Sequence, residues 1–119
     1  MAQQPLSPAA AWRARLRSDL MAARKARHPA RMSALRCALA AIDNAQTPDA
    51  ASTVWLNSTE ALRRELTDTQ IRGLLETEVA ERLHAADTVR AHGEHMRAGT
   101  LRAEAEILGD LLVDPVEAL

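Results

Sequence analysis

Apolar residues recur along this chain at steps of three and four, the spacing of one helical face, in four stretches separated by turn-forming residues. In the first stretch Trp12, Leu16, Leu20 and Ala23 share a face, and Ser7 followed by Pro8 supplies an N-cap and a proline for the first helical position. His28 and Pro29 close this helix, and Pro29 opens a second in which Met32, Leu35, Leu39 and Ile42 recur, with Ala38 between them. Two helices joined so tightly are expected to pack antiparallel. From Asp43 to Asn57 the period is lost in a mixture of Asn, Thr, Pro, Asp and Ser, which predicts a connector. Within it Val54, Trp55 and Leu56 are expected to cover an open end of the core, the alternative for Trp55 being contact with a partner or a base. Ser58 to Glu65 reads as a short helix supported by Glu60 and Arg64 at i, i+4. The strongest local signal follows: Thr67 and Gln70 form a capping box, with Leu66 and Ile71 placed as its hydrophobic staple. A long third helix is therefore expected from Asp68, with Ile71, Leu75, Val79, Leu83, Ala86 and Val89 inward and Gly93 as its stop. A fourth should run from Glu94 or His95 to Leu112, burying Leu101, Ala105, Leu108 and Leu112.

Composition supports the helical reading. The chain has 25 Ala and 16 Leu against 5 Val and 3 Ile, with no Phe or Tyr, a balance that favours helix over strand. The expected fold is an all-α, antiparallel four-helix bundle. With 119 residues and 47% hydrophobic content, one domain with an ordered core over about 8–112 is expected. Cys37 stands alone, which excludes an internal disulfide and suits a reducing, cytoplasmic setting. The longest hydrophobic run, Cys37 to Ile42, is far short of the roughly 20 residues that span a bilayer, so no membrane partner is expected.

Charge divides the chain unevenly. Residues 1–43 carry eight basic and two acidic side chains, and the remainder seven basic and fourteen acidic. The blander reading is that oppositely charged faces meet or are solvated; the functional one is a basic surface offered to a polyanion. Arg13, Arg17 and Arg24 form a stripe beside the apolar face of the first helix, and with Lys25, Arg27 and Arg36 they are candidate phosphate contacts. On the third helix Glu78 and Arg82 project onto the apolar face, as Arg31 does on the second, and inward charges require partners. An internal ion-pair network joining Arg31 to Glu78, with Arg82 nearby, is expected.

Candidate chemistry is sparse. The sequence has no Gly-rich phosphate loop and no Gly-x-Ser-x-Gly nucleophile arrangement. Cys37 lies opposite Leu35, Leu39 and Ile42 on the helical wheel, without a neighbouring His to activate it. His92 and His95, with His84 further back, have ligand-like spacing, but Gly93 breaks the helix that would aim them together. No catalytic residue, metal site or cofactor is expected.

Ordered blocks of sequence point further. Arg31-Met32-Ser33-Ala34-Leu35-Arg36 followed by Ala40 to Ala45 resembles the second helix of GatB/YqeY-domain proteins. Arg64 to Asp68, then Glu78 to Arg82, then Leu101 to Leu108 resemble that family's next blocks in order, so the resemblance covers roughly 11–112. It implies an all-helical module of the kind found as the tail of the B subunit of glutamine-dependent tRNA amidotransferases, where it resembles a tRNA-gripping accessory. It also implies the family label of carbon–nitrogen ligase activity with glutamine as amido-nitrogen donor, which here would need a glutaminase subunit supplied from elsewhere. The family continues into a smaller C-terminal three-helix unit, whereas this sequence passes through Val113-Asp114-Pro115 and stops at Leu119. The resemblance thus implies an accessory that binds tRNA or amidotransferase subunits, while the residues themselves offer no self-contained active site. The alternative is a protein-interaction adaptor that binds no nucleic acid.

Overall fold

The computed structural model describes residues 6–48 and 64–113. Four helices make the fold: α1 (Pro8–Lys25), α2 (Pro29–Gln46), α3 (Asp68–Ala91) and α4 (His95–Leu111). No described residue is in a strand. Ser7 caps α1 through its side chain and Pro8 occupies its first turn; His28 and Pro29 do the same for α2. At α3 both halves of the capping box are present, the Gln70 N–H donating to Thr67 Oγ1 at 3.1 Å and the Thr67 N–H to Gln70 Oε1 at 2.9 Å. The helices end in left-handed backbone at two turns: Gly93 between α3 and α4, with φ 85°, and Arg27 between α1 and α2, with φ 54°. Gly93 adopts that conformation without the steric cost Arg27 bears.

Successive helices alternate in direction. Trp12 near the start of α1 meets Asp68 at the start of α3, Arg15 meets the end of α4 at Leu111, and Gln46 at the end of α2 meets Arg64. One end of the bundle therefore gathers the starts of α1 and α3 with the ends of α2 and α4, and both tight turns lie toward the other. The core between them is filled by Leu16, Leu35, Ile42, Ile71, Leu75 and Leu108, all fully buried, with Trp12, Ile107 and Leu111 around them. Such burial is the main stabilising contribution, at about 2 kcal/mol or more for each large side chain.

Three expectations are corrected. The helical period was expected to break at Asp43, but α2 continues to Gln46, because Arg13 of α1 holds both Asp43 and Gln46. Leu83 was expected inward and is 45% exposed, with Val79, Val89 and Leu101 only partly buried. At this level the inward positions of α3 are taken by Glu78 and Arg82, and Leu83, about 100° round the helix from the 11% exposed Arg82, is turned toward solvent. With 24 residues against 18 in α1 and α2, α3 is also longer than they are by about 9 Å at 1.5 Å per residue. In the second half of α3 and the facing part of α4 the buried residues are the small Ala86, Ala98 and Ala105, which stand outside the main core cluster. Lastly, Arg64 and Glu65, the end of the expected short helix, have no regular structure, and the rest of that segment, with Trp55, lies outside the described residues.

Candidate nucleic-acid interface

The first two helices bring the candidate phosphate contacts together, with one exception. Arg13 is drawn inward: its Nε and Nη2 donate to Asp43 Oδ1 at 3.0 and 2.6 Å, Nη2 also donates to Gln46 Oε1, and its side chain is 12% exposed. Gln46 in turn donates from Nε2 to the Arg64 carbonyl at 3.1 Å and accepts the Arg64 N–H at its own carbonyl, tying down the chain that leads to α3. Arg13 is thus a fixture of the α1–α2 register, and its place in the phosphate-binding set is withdrawn.

That register arranges the others. With Arg13 opposite Asp43 in an antiparallel pair, Arg36 falls opposite Leu20, at a level between Arg17 and Arg24. Arg17 and Arg24 lie within about 40° of Arg13 on the helical wheel, on the flank of α1 that adjoins α2. Arg17, Arg24, Lys25, Arg27 and Arg36 are all exposed, and none has an ion-pair partner among the described residues. Exposed Met21 sits among them as an apolar spot on the same surface.

The inward charges form a different network from the one expected. Arg82 donates from Nη1 to Glu78 Oε2 at 2.6 Å, and its Nε lies 3.5 Å from Glu104 Oε1 of α4. Ser33 of α2 donates its hydroxyl to the same Glu104 oxygen at 3.0 Å. Arg82 and Glu104 are 11% and 12% exposed, so the cluster is largely sealed where α2, α3 and α4 meet. Burial works to lower the Arg82 pKa, but its bond to Glu78 and the electrostatic influence of its neighbours, the Glu78 and Glu104 carboxylates among them, outweigh that and hold it above the ordinary value. Cys37, read as facing away from the core, is half-buried and close enough to Arg82 to act on it. Arg31 does not reach Glu78: it lies in the first turn of α2, where an inward angle faces an open cleft with Asp19 and His28. The partner from another helix is Glu104, a glutamate within a helical block whose inward facing the α4 periodicity already allowed.

At the end opposite the turns, Trp12 is clamped. Its Nε1 donates to Asp68 Oδ1 at 2.7 Å, and the guanidinium carbons of Arg15 and Arg72 stand 5.1 and 5.5 Å from its ring centroid. Arg72 also donates to Asp68 Oδ2 at 2.8 Å and to the Leu112 carbonyl at 3.0 Å, while Arg15 donates to the Leu111 carbonyl at 3.2 Å. These two arginines cap the C-terminus of α4, which has no basic residue in its own last turn. The bond from Trp12, then that from Arg72, holds the Asp68 carboxyl below its ordinary pKa. The groups here are joined to one another and serve the fold.

The histidines do not converge on a metal. His92 Nδ1 lies 2.8 Å from the Thr88 carbonyl at the end of α3, and no group of three or more His, Cys, Asp or Glu suited to a metal occurs among the described residues. No described helix is long and apolar enough to cross a membrane. Comparison of the chain with protein-family models, with curated proteins and with solved structures finds no match.

Proposed function

We propose that this helical bundle is a binding module that grips tRNA through the basic face of α1 and α2, acting as an accessory in tRNA-dependent amidation rather than as a self-contained amidotransferase. The observation that carries the proposal is that five of the six candidate cations, Arg17, Arg24, Lys25, Arg27 and Arg36, are exposed without ion-pair partners among the described residues. Such a surface contacts phosphates without reading bases, and its binding is steeply salt-dependent. The amidation setting rests on the ordered GatB/YqeY-like sequence blocks alone. The test is binding of bulk tRNA to the purified protein at low and physiological salt, beside an Arg17→Ala, Arg24→Ala, Arg36→Ala variant. Salt-sensitive binding that the variant loses is expected; absence of binding at low salt overturns the proposal. Exposure of Met96, at 90%, and of Leu83 favours a second reading, a protein-interaction adaptor docking through the α3–α4 arm. That contact would survive salt and be lost on Met96→Ser.

A further inference from the structure

We infer that the end of the bundle formed by the α1–α2 turn and the first turns of α4 is a contact surface for the phosphate backbone of an RNA duplex, and that Arg31 and Arg97 belong to it. The inference rests on the polyanion reading above and adds to it both residues and a ligand class. Thr100 of α4 lines a cleft of about 380 Å³ with Ala26, Arg27, His28, Pro29 and Ala30, which sets the start of α4 beside the α1–α2 turn. Arg97 lies three positions before Thr100, on the adjoining face, and is exposed. Across His28 a second cleft is lined by Arg31 together with Asp19. Arg24, Lys25, Arg27, Arg31 and Arg97 thus share one end of the molecule, all exposed. The carboxylates near them include Asp19, Asp87, which is paired with Arg102 at 3.2 Å, and Glu94, whose contact with Arg97 is long, at 3.9 Å, between two exposed side chains.

Helix stability does not account for these cations. Arg31 and Arg97 both occupy first turns, where the helix dipole disfavours positive charge. Among the described residues the rings at this end are histidines, with His28, whose Nδ1 accepts the Arg31 N–H, lining both clefts, and no larger aromatic side chain stands here as a stacking platform. The chain has no Phe or Tyr, and Trp12 is 6% exposed and held at the opposite end. Recognition of unpaired bases depends on stacking platforms, whereas a surface of fixed cations responds to phosphate density, which is greater along a duplex than along one strand.

The test compares an RNA hairpin stem with an unstructured RNA of equal nucleotide number, by fluorescence anisotropy across a salt series, for the wild type and an Arg31→Ala, Arg97→Ala variant. The Arg31 bond to His28 is made by its backbone N–H and survives in alanine; a helical circular dichroism spectrum checks that the variant is folded. The stem is expected to bind more tightly than the single strand, and the variant to lose roughly tenfold in stem affinity and about two units of salt slope. Unchanged stem affinity and slope in the variant, or equal binding of the single strand, overturns the inference and leaves the polyanion reading standing. No binding of either RNA by the wild type at low salt overturns both.

Discussion

Among the individual residues, the arginines of α1 matter most, because neighbours in sequence have opposite fates. Arg13 and Arg17 share a flank of the same helix, but Arg13 meets Asp43 and Gln46 across the interface and Arg17 meets solvent. Arg13→Ala would leave Asp43 and Gln46 without their shared donor, and is expected to lower unfolding free energy by about 2 kcal/mol. Arg17→Ala should change it by less than about 0.5 kcal/mol. Urea unfolding of the two variants checks this, and equal effects would mean that the Arg13 bonds contribute nothing net. Asp68 supplies a pH-dependent counterpart. Its folded pKa lies below the unfolded 3.8, so its contribution is complete above that value and is lost as pH falls through the lower folded value. The stability gap between wild type and Asp68→Asn should therefore be constant at neutral pH and close progressively in acid below about pH 4. A gap that does not narrow in acid would show that the carboxylate charge is not what holds Trp12 and Arg72.

Among the elements, local signals carried most of the architecture. Ser7-Pro8, His28-Pro29, Thr67 with Gln70, and Gly93 each act on backbone within four residues of themselves, and all four mark helix ends as expected. Contacts between elements were less legible. Nothing within α2 shows that Asp43 and Gln46 stay helical, since the side chain that holds them comes from α1. Likewise an inward angle on a helical wheel means burial only where a neighbour closes over it: Arg31 faces an open cleft against α1 at Asp19 and Ala23, and Leu83 follows Arg82, which with Glu78 takes the inward arc at that level. The i, i+4 pairing of Glu78 with Arg82 was legible, and the bond from α2 and α4 through Ser33 and Glu104 was not. That cluster yields a test of how three helices are joined. Arg82→Met leaves Glu78 and Glu104 partly buried without their cation and should cost about 3 kcal/mol. Adding Glu104→Gln to that variant should recover part of the loss, because it removes an uncompensated charge. Thermal melts of the single and double variants give the coupling, and strictly additive losses would contradict the shared network.

Across the whole molecule, the burial pattern divides the bundle along the axis of α3. Its first half is packed through Ile71 and Leu75 into the core that Leu16, Leu35, Ile42 and Leu108 share. Its second half, with the facing part of α4, is a two-helix arm whose buried residues are Ala86, Ala98 and Ala105, and whose surface carries Leu83 and Met96 in the open. Alanines allow close approach of two helices but remove little apolar area from water, so the arm is held by far less hydrophobic stabilisation per turn than the body. Arg102 and Asp87 join its two helices at 3.2 Å, but both are exposed, and such a pair adds about 0.5 kcal/mol. The arm should therefore open without unfolding of the body, as a separate low-stability unit. Amide hydrogen exchange followed by mass spectrometry is expected to show slow exchange over residues 71–80 and faster exchange over 86–91 and 96–100, although both stretches of α3 are equally helical. Replacing Leu75 with Ala should lower protection everywhere, because its side chain belongs to the shared core. Replacing Ala98 with Gly should lower it only in the arm. Uniform protection along α3 would mean that the arm folds and unfolds with the body, and the cations at its tip would then be held as rigidly as those on α1.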